Sequence, residues 1–123
     1  MKALVVDDSA VMRKVLIGAL ARANITDVAQ AADGKEAVEA VMNDEFGLVL
    51  MDWNMPNMLG IDAVREIRAK GKTVPIIMVT TEAEKTRVID ALKAGANNYI
   101  IKPFEPATIV TKIQDVLSKV SGQ

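Results

Sequence analysis

Five short apolar runs alternate along this chain with stretches in which apolar side chains recur every three or four positions. Ala3-Leu4-Val5-Val6 is the first run and stops at Asp7-Asp8. Ser9 then offers an N-cap hydroxyl, and Val11, Met12, Val15, Leu16, Ala19 and Leu20 repeat at helical spacing to about Ala23. Val28-Ala29-Gln30-Ala31 reads as a weaker strand. Asp33, with Glu36 three places on, resembles a capping box, and Ala37, Val38, Val41 and Met42 form the stripe of a second helix. Leu48-Val49-Leu50-Met51 is apolar without alternation, the pattern of a strand buried on both faces, and ends at Asp52.

The second half repeats the plan. Ile61, Val64 and Ile67 mark a third helix ending near Lys70-Gly71. Pro75-Ile76-Ile77-Met78-Val79 is a fourth strand closed by Thr80-Thr81, and Val88, Ile89 and Leu92 stripe a fourth helix with Gly95 at its C′ position. Asn98-Tyr99-Ile100-Ile101 runs into Lys102-Pro103. Pro106 suits the first turn of a last helix carrying Ile109, Val110, Ile113, Val116, Leu117 and Val120. Five βα units with short loops imply an α/β fold, a doubly wound parallel sheet with helices on both faces. The chain, residues 1–123, is expected to be one domain.

Composition narrows the chemistry. Half of the 123 residues are hydrophobic, enough for one core. No apolar stretch approaches the roughly 20 residues that cross a bilayer, and Met1-Lys2 leads directly into the first strand, so a cytoplasmic location is expected. Net charge is −1, with Lys and Arg scattered along the chain, which argues against nucleic-acid binding. Cysteine and histidine are both absent, removing thiolate and imidazole ligands and the usual general base. Carboxylates, hydroxyls and lysine must carry any reaction.

Right-handed crossovers bring the C-terminal ends of all the strands to one edge of the sheet, where ligands bind in open α/β folds. That edge gathers Asp7, Asp8, Asp52, Thr80 and Lys102. Two carboxylates ~4 Å apart repel by about 4 kcal/mol at an effective dielectric near 20. Lys102 balances one charge, and a hard divalent cation, Mg²⁺ or Mn²⁺, suits the rest. A metal, a lysine and a hydroxyl converging on one carboxylate suit phosphoryl transfer, with Asp52 as the nucleophile.

Taken in order, Asp7-Asp8, Asp52-Trp53-Asn54-Met55-Pro56-Asn57-Met58, Thr80 and Tyr99 three places before Lys102-Pro103-Phe104 resemble the bacterial two-component receiver domains, in particular the single-domain, CheY-like chemotaxis regulators. The resemblance covers nearly the whole length. It implies a flavodoxin-like sheet of order 2-1-3-4-5 and a cis Lys102-Pro103 bond. It also implies that Asp52 accepts phosphate from a sensor histidine kinase (CheA-like), with Mg²⁺ held by Asp7, Asp8, Asp52 and the backbone carbonyl of Asn54. Lys102 would pair with the phosphoryl group, Thr80 would swing toward it, and Tyr99 would turn inward behind Thr80. Asn54 and Glu82 would tune self-dephosphorylation. Tyr99 and Lys112 would belong to a face read by a flagellar motor switch protein or another effector. Thr81 departs from the pattern, which has Ala or Gly there.

The resemblance implies a monomeric signalling switch rather than an enzyme with an external substrate. A stand-alone receiver in a phosphorelay is the alternative within that class. An Mg²⁺-dependent phosphatase of the haloacid-dehalogenase type would need an acid two places after its nucleophile, and Asn54 stands there. A dinucleotide fold is disfavoured because Asp7-Asp8-Ser9 replaces a glycine loop. Trp53 is expected to shield the site from the loop. The methionines read as core filler. Lys85 and Arg87, among Glu82 and Glu84, read as a solvated helix face.

Overall fold

The computed structural model describes residues 1–120. Residues 121–123 of the expected domain, and the Val120 side chain of the last stripe, lie outside the described residues. The elements run β1 (Lys2–Val6), α1 (Ala10–Arg22), β2 (Asp27–Ala31), α2 (Gly34–Asn43), β3 (Leu48–Met51), α3 (Gly60–Ala69), β4 (Ile76–Thr80), α4 (Lys85–Ala94), β5 (Asn98–Ile101) and α5 (Pro106–Val120). All strand pairs are parallel, in the order β2-β1-β3-β4-β5.

Alternation along the central strands divides the interior in two. Leu4, Val6, Val49, Met51, Ile76 and Met78 face α2, α3 and α4. Ala3, Val5, Leu48, Leu50, Ile77 and Val79 face Leu16, Ala19 and Leu20 of α1 and Ile109, Ile113 and Val116 of α5. Every one of these strand residues is buried, which explains why their sequence shows apolar runs instead of alternation.

The helix caps follow the sequence closely. Met12 N donates to Ser9 Oγ, and Pro106 opens α5. Glu36 N donates to Asp33 Oδ1, while Glu36 Oε1 accepts from Ala32 N, one residue before the partner that a capping box would use. Gly95 closes α4 at φ +120°.

Two apolar stripes differ from expectation. On α1, Val11 is 73% exposed and Val15 is also exposed, because the sheet takes only the Leu16, Ala19 and Leu20 face. On α4, Ala91 is buried and Val88 half-buried, whereas Ile89 and Leu92 point outward. A helix lying on one side of a sheet buries one narrow stripe, so the remaining apolar positions stay on the surface. No helix among the described residues is long and apolar enough to cross a membrane.

Candidate functional site

The sheet register places the acids. Val6 of β1 pairs with Met51 of β3, so the next residues, Asp7 and Asp52, leave adjacent strands side by side. The chain enters β2 on one side of β1 and β3 on the other, which makes this the topological switch point of the sheet. Backbone bonds extend the ladder into the site: Asp7 N donates to Ala31 O at 3.2 Å and Asp52 N to Val6 O at 3.0 Å. At the far side Thr80 pairs with Ile101, and Lys102 N donates to Thr80 O at 2.9 Å.

Asp7, Asp8 and Asp52 each offer a carboxylate oxygen within 4.8 Å of the others. Asp7 and Asp52 are buried and Asp8 is exposed. Lys102 Nζ donates to Asp7 Oδ2 at 2.8 Å and stands 3.4 Å from Asp52 Oδ2. Asp52 Oδ1 accepts from Trp53 N at 2.7 Å, and Asp7 Oδ1 from Ser9 N at 2.9 Å. One ammonium therefore serves two of three carboxylates, and the cluster keeps a surplus of negative charge open to solvent through Asp8.

These residues fit a hard cation. Oxygens sharing one octahedral Mg²⁺ shell stand roughly 3–4 Å apart, given metal–oxygen distances of about 2.1 Å. Three carboxylates spaced within 4.8 Å, with no sulfur or imidazole among them, approach that arrangement with little movement.

Thr80, fully buried at the end of β4, accepts from Glu82 N at 3.3 Å through Oγ1. Asn54 Nδ2 donates to Glu82 Oε1 at 3.0 Å, so the two residues singled out for dephosphorylation touch across the mouth of the site. Tyr99 already faces inward: it is 7% exposed, and its hydroxyl donates to Glu82 O at 2.6 Å. Burial, with Glu82 and Asp52 adding negative charge nearby, pushes the phenol up to about 12. Lys112 on α5 lies apart from the acids, with Nζ 3.4 Å from Asn98 Oδ1. The Lys102-Pro103 bond is cis, as the resemblance implied.

Sequence reading missed several supports of the site. Arg13 donates through NH1 to the Asp7 carbonyl at 2.7 Å and through Nε to Gln30 Oε1, bracing the first acidic loop from α1. Gly60 N donates to Trp53 O at 2.8 Å, and a Cβ at residue 60 would stand 1.9 Å from Asp52 O. The only signal for that glycine was its place at the start of a helix after a loop. Trp53 packs into the core, 3% exposed, rather than covering the site. The Arg87 guanidinium lies 5.5 Å from its ring centroid, so Arg87 does more than solvate a helix face.

Residues 3–114 match the family model described as response regulator receiver domain. The chain belongs to the response regulator receiver family. Among relatives of this receiver domain, the chemotaxis protein CheY homolog of Campylobacter jejuni is 48% identical over 126 aligned positions, covering all of this chain and 97% of that protein. Chemotaxis protein CheY1 of Helicobacter pylori is 48% identical over 95% of this chain and 97% of its own length. Among solved structures, chemotaxis response regulator CheY4 of Vibrio cholerae superposes with a TM-score of 0.84 at 35% identity, covering 94% of this chain and 97% of that one. The receiver domain of Francisella response regulator 1452 gives 0.89 at 25% identity, covering 97% and 98%.

Proposed function

We propose that this receiver domain is a phosphorylation-activated chemotaxis switch, with Asp52 as its phosphoacceptor. The observation that carries the reading is the meeting of Asp7, Asp8 and Asp52 with Lys102 Nζ at the ends of β1, β3 and β5. Asp52 Oδ1 is held by the Trp53 amide, which leaves Oδ2, beside Lys102, as the attacking oxygen. A bond forms between Oδ2 and phosphorus as the bond from phosphorus to the donor breaks. The donor, a kinase phosphohistidine or a small acyl phosphate, takes the electron pair. The absence of histidine from this chain requires that the donor come from outside it.

Asp7, Asp8, Asp52 and the Asn54 carbonyl would hold Mg²⁺, which when bound supplies positive charge opposite the transferring phosphoryl oxygens. Lys102 exchanges its contact with Asp52 for one with the phosphoryl group. Thr80 hydrogen-bonds the same group, giving up the Glu82 amide. Asn54 and Glu82, joined by their side chains, control how water reaches the acyl phosphate. The inward Tyr99, tied to the Glu82 carbonyl, is the position assigned to the activated protein. Phosphorylation therefore shifts an existing equilibrium toward it.

The output face comprises α4, β5 and α5. Ile89, Leu92 and Ile101 are exposed there, and Lys112 borders a shallow groove with Asn98, Thr108 and Asp115. A chemotaxis histidine kinase and a flagellar motor switch protein are the partners proposed, because the 48% identical relatives carry chemotaxis names.

The test is phosphorylation by acetyl phosphate with Mg²⁺. Wild type acquires one alkali-labile phosphate, Asp52→Asn acquires none, and beryllofluoride-loaded protein gains affinity for the switch protein. Labelling of Asp52→Asn equal to wild type would remove the basis for the mechanism.

A further inference from the structure

The loop from Asp52 to Gly60 is secured at two points. At its base, Gly60 N donates to Trp53 O. At its tip, Asn57 Nδ2 donates to Asp33 Oδ2 at 2.6 Å, 24 residues away in sequence. Asp33 is the N-cap of α2 and only 6% exposed, and its other oxygen is committed to Glu36 N at 2.8 Å. The Glu36 amide first, and Asn57 second, hold its carboxyl below the ordinary 3.8.

The loop tip is strained. Asn57 has φ +67°, and Met58 N donates to Pro56 O at 2.7 Å across it, a three-residue turn with its central residue in left-handed space. Such turns persist only where the surroundings over-determine them. Here α2 supplies the constraint. A Cβ on Gly34, the first residue of α2, would stand 2.6 Å from Met58 O, so the tip lies directly against the first turn of that helix.

We infer that Asp33 and Asn57 are positioning residues for the metal: their hydrogen bond sets the path of the β3–α3 loop, and thereby of the Asn54 carbonyl. This rests on the metal reading given above. A ligand supplied by the backbone cannot be re-aimed by a rotamer change. Its placement depends wholly on how the loop is held, and Asn54 lies between the two anchors.

Three variants separate the tether from the helix cap. Asp33→Ser retains a capping oxygen for Glu36 N but loses the second acceptor. Asn57→Gly suits the left-handed turn and removes the donor. The exchange Asp33→Asn with Asn57→Asp preserves net charge and rebuilds the bond with donor and acceptor reversed. Mg²⁺ affinity is read by titrating the emission of Trp53, the single tryptophan, and loop order by amide exchange across residues 53–60 without metal. Urea unfolding gives global stability.

Asp33→Ser and Asn57→Gly are expected to weaken Mg²⁺ binding about tenfold, in line with partners lying behind a metal ligand. The amides of residues 55, 57 and 58 should exchange faster, and the double exchange should return both readouts most of the way to wild type, against the loss of about tenfold that removing such a partner causes. Unchanged affinity in both single variants, beside a wild type that binds Mg²⁺, overturns the tether alone. A loss confined to urea stability overturns it equally. A wild type that binds no Mg²⁺ overturns the tether and the metal site together.

Discussion

Replacing Gly60 with alanine tests how tightly α3 is built against the backbone of Asp52 and Trp53. The new Cβ would lie 1.9 Å from Asp52 O, 2.9 Å from Asp52 C and 3.1 Å from Trp53 Cα. The first distance is more than 1 Å short of an ordinary carbon–oxygen contact of about 3.3 Å. The obstacle is backbone, so no side-chain rotation relieves it. Overpacking of this kind costs about 1–3 kcal/mol. Separating α3 from the loop also breaks the bond from Gly60 N to Trp53 O, worth about 1 kcal/mol. Against this, alanine gains up to about 1 kcal/mol over glycine in a helix, and less in a first turn. The net expectation is a loss of roughly 3 kcal/mol, or about 10 °C in melting temperature. Gly18→Ala is the control, since nothing lies within 4 Å of its Cβ position in the middle of α1. That variant should gain about 0.5–1 kcal/mol. Urea unfolding followed by Trp53 emission measures both, and acetyl phosphate uptake by folded Gly60→Ala should fall because Asp52 has moved. Wild-type stability in Gly60→Ala, or equal uptake, would refute the close-approach argument.

Lys102→Met leaves three neighbouring carboxylates without their ammonium, so metal-free stability should drop by about 3 kcal/mol while the Mg²⁺ dissociation constant tightens. A weaker dissociation constant would show that Lys102 organises the acids rather than competing with the cation. At a hundredfold excess over its dissociation constant, Mg²⁺ should stabilise wild type by about 2.7 kcal/mol, reversibly with EDTA. Asp8→Asn should blunt that gain without lowering metal-free stability, because Asp8 is exposed and one of three repelling charges. Tyr99 is the single tyrosine, so absorbance at alkaline pH reports it alone. Its folded value of about 12 lies above the ordinary 10.0, so the stability it contributes is complete below pH 10 and disappears as pH rises toward 12. A tyrosinate midpoint near 10 in folded protein would contradict the inward, hydrogen-bonded placement.

The central strands were legible because β1, β3 and β4 are buried on both faces and leave unbroken apolar runs. The acids were legible for the same reason, as charges placed immediately after those runs. Sheet order was not, since periodicity records which faces are buried and not which strand lies beside which; the family resemblance supplied it. The outward side chains of Val11, Val15, Ile89 and Leu92 could not be told from core residues, because apolar spacing looks the same whether it faces a sheet or solvent. The Asn57–Asp33 bond and the close approach of Gly60 depend on a loop conformation that local sequence does not encode. Trp53 misled in the opposite direction: adjacency to Asp52 suggested a cover for the site, while its ring turns into the core.

The ion pair between Lys102 and Asp7 joins residues 95 positions apart. No fragment lacking either Asp7 or Lys102 can assemble the complete cluster, and a nascent polypeptide must have released its fifth strand before the lysine can arrive. Arrival of that lysine completes the cluster, so copies cut between the two residues carry acids without the ammonium that offsets them.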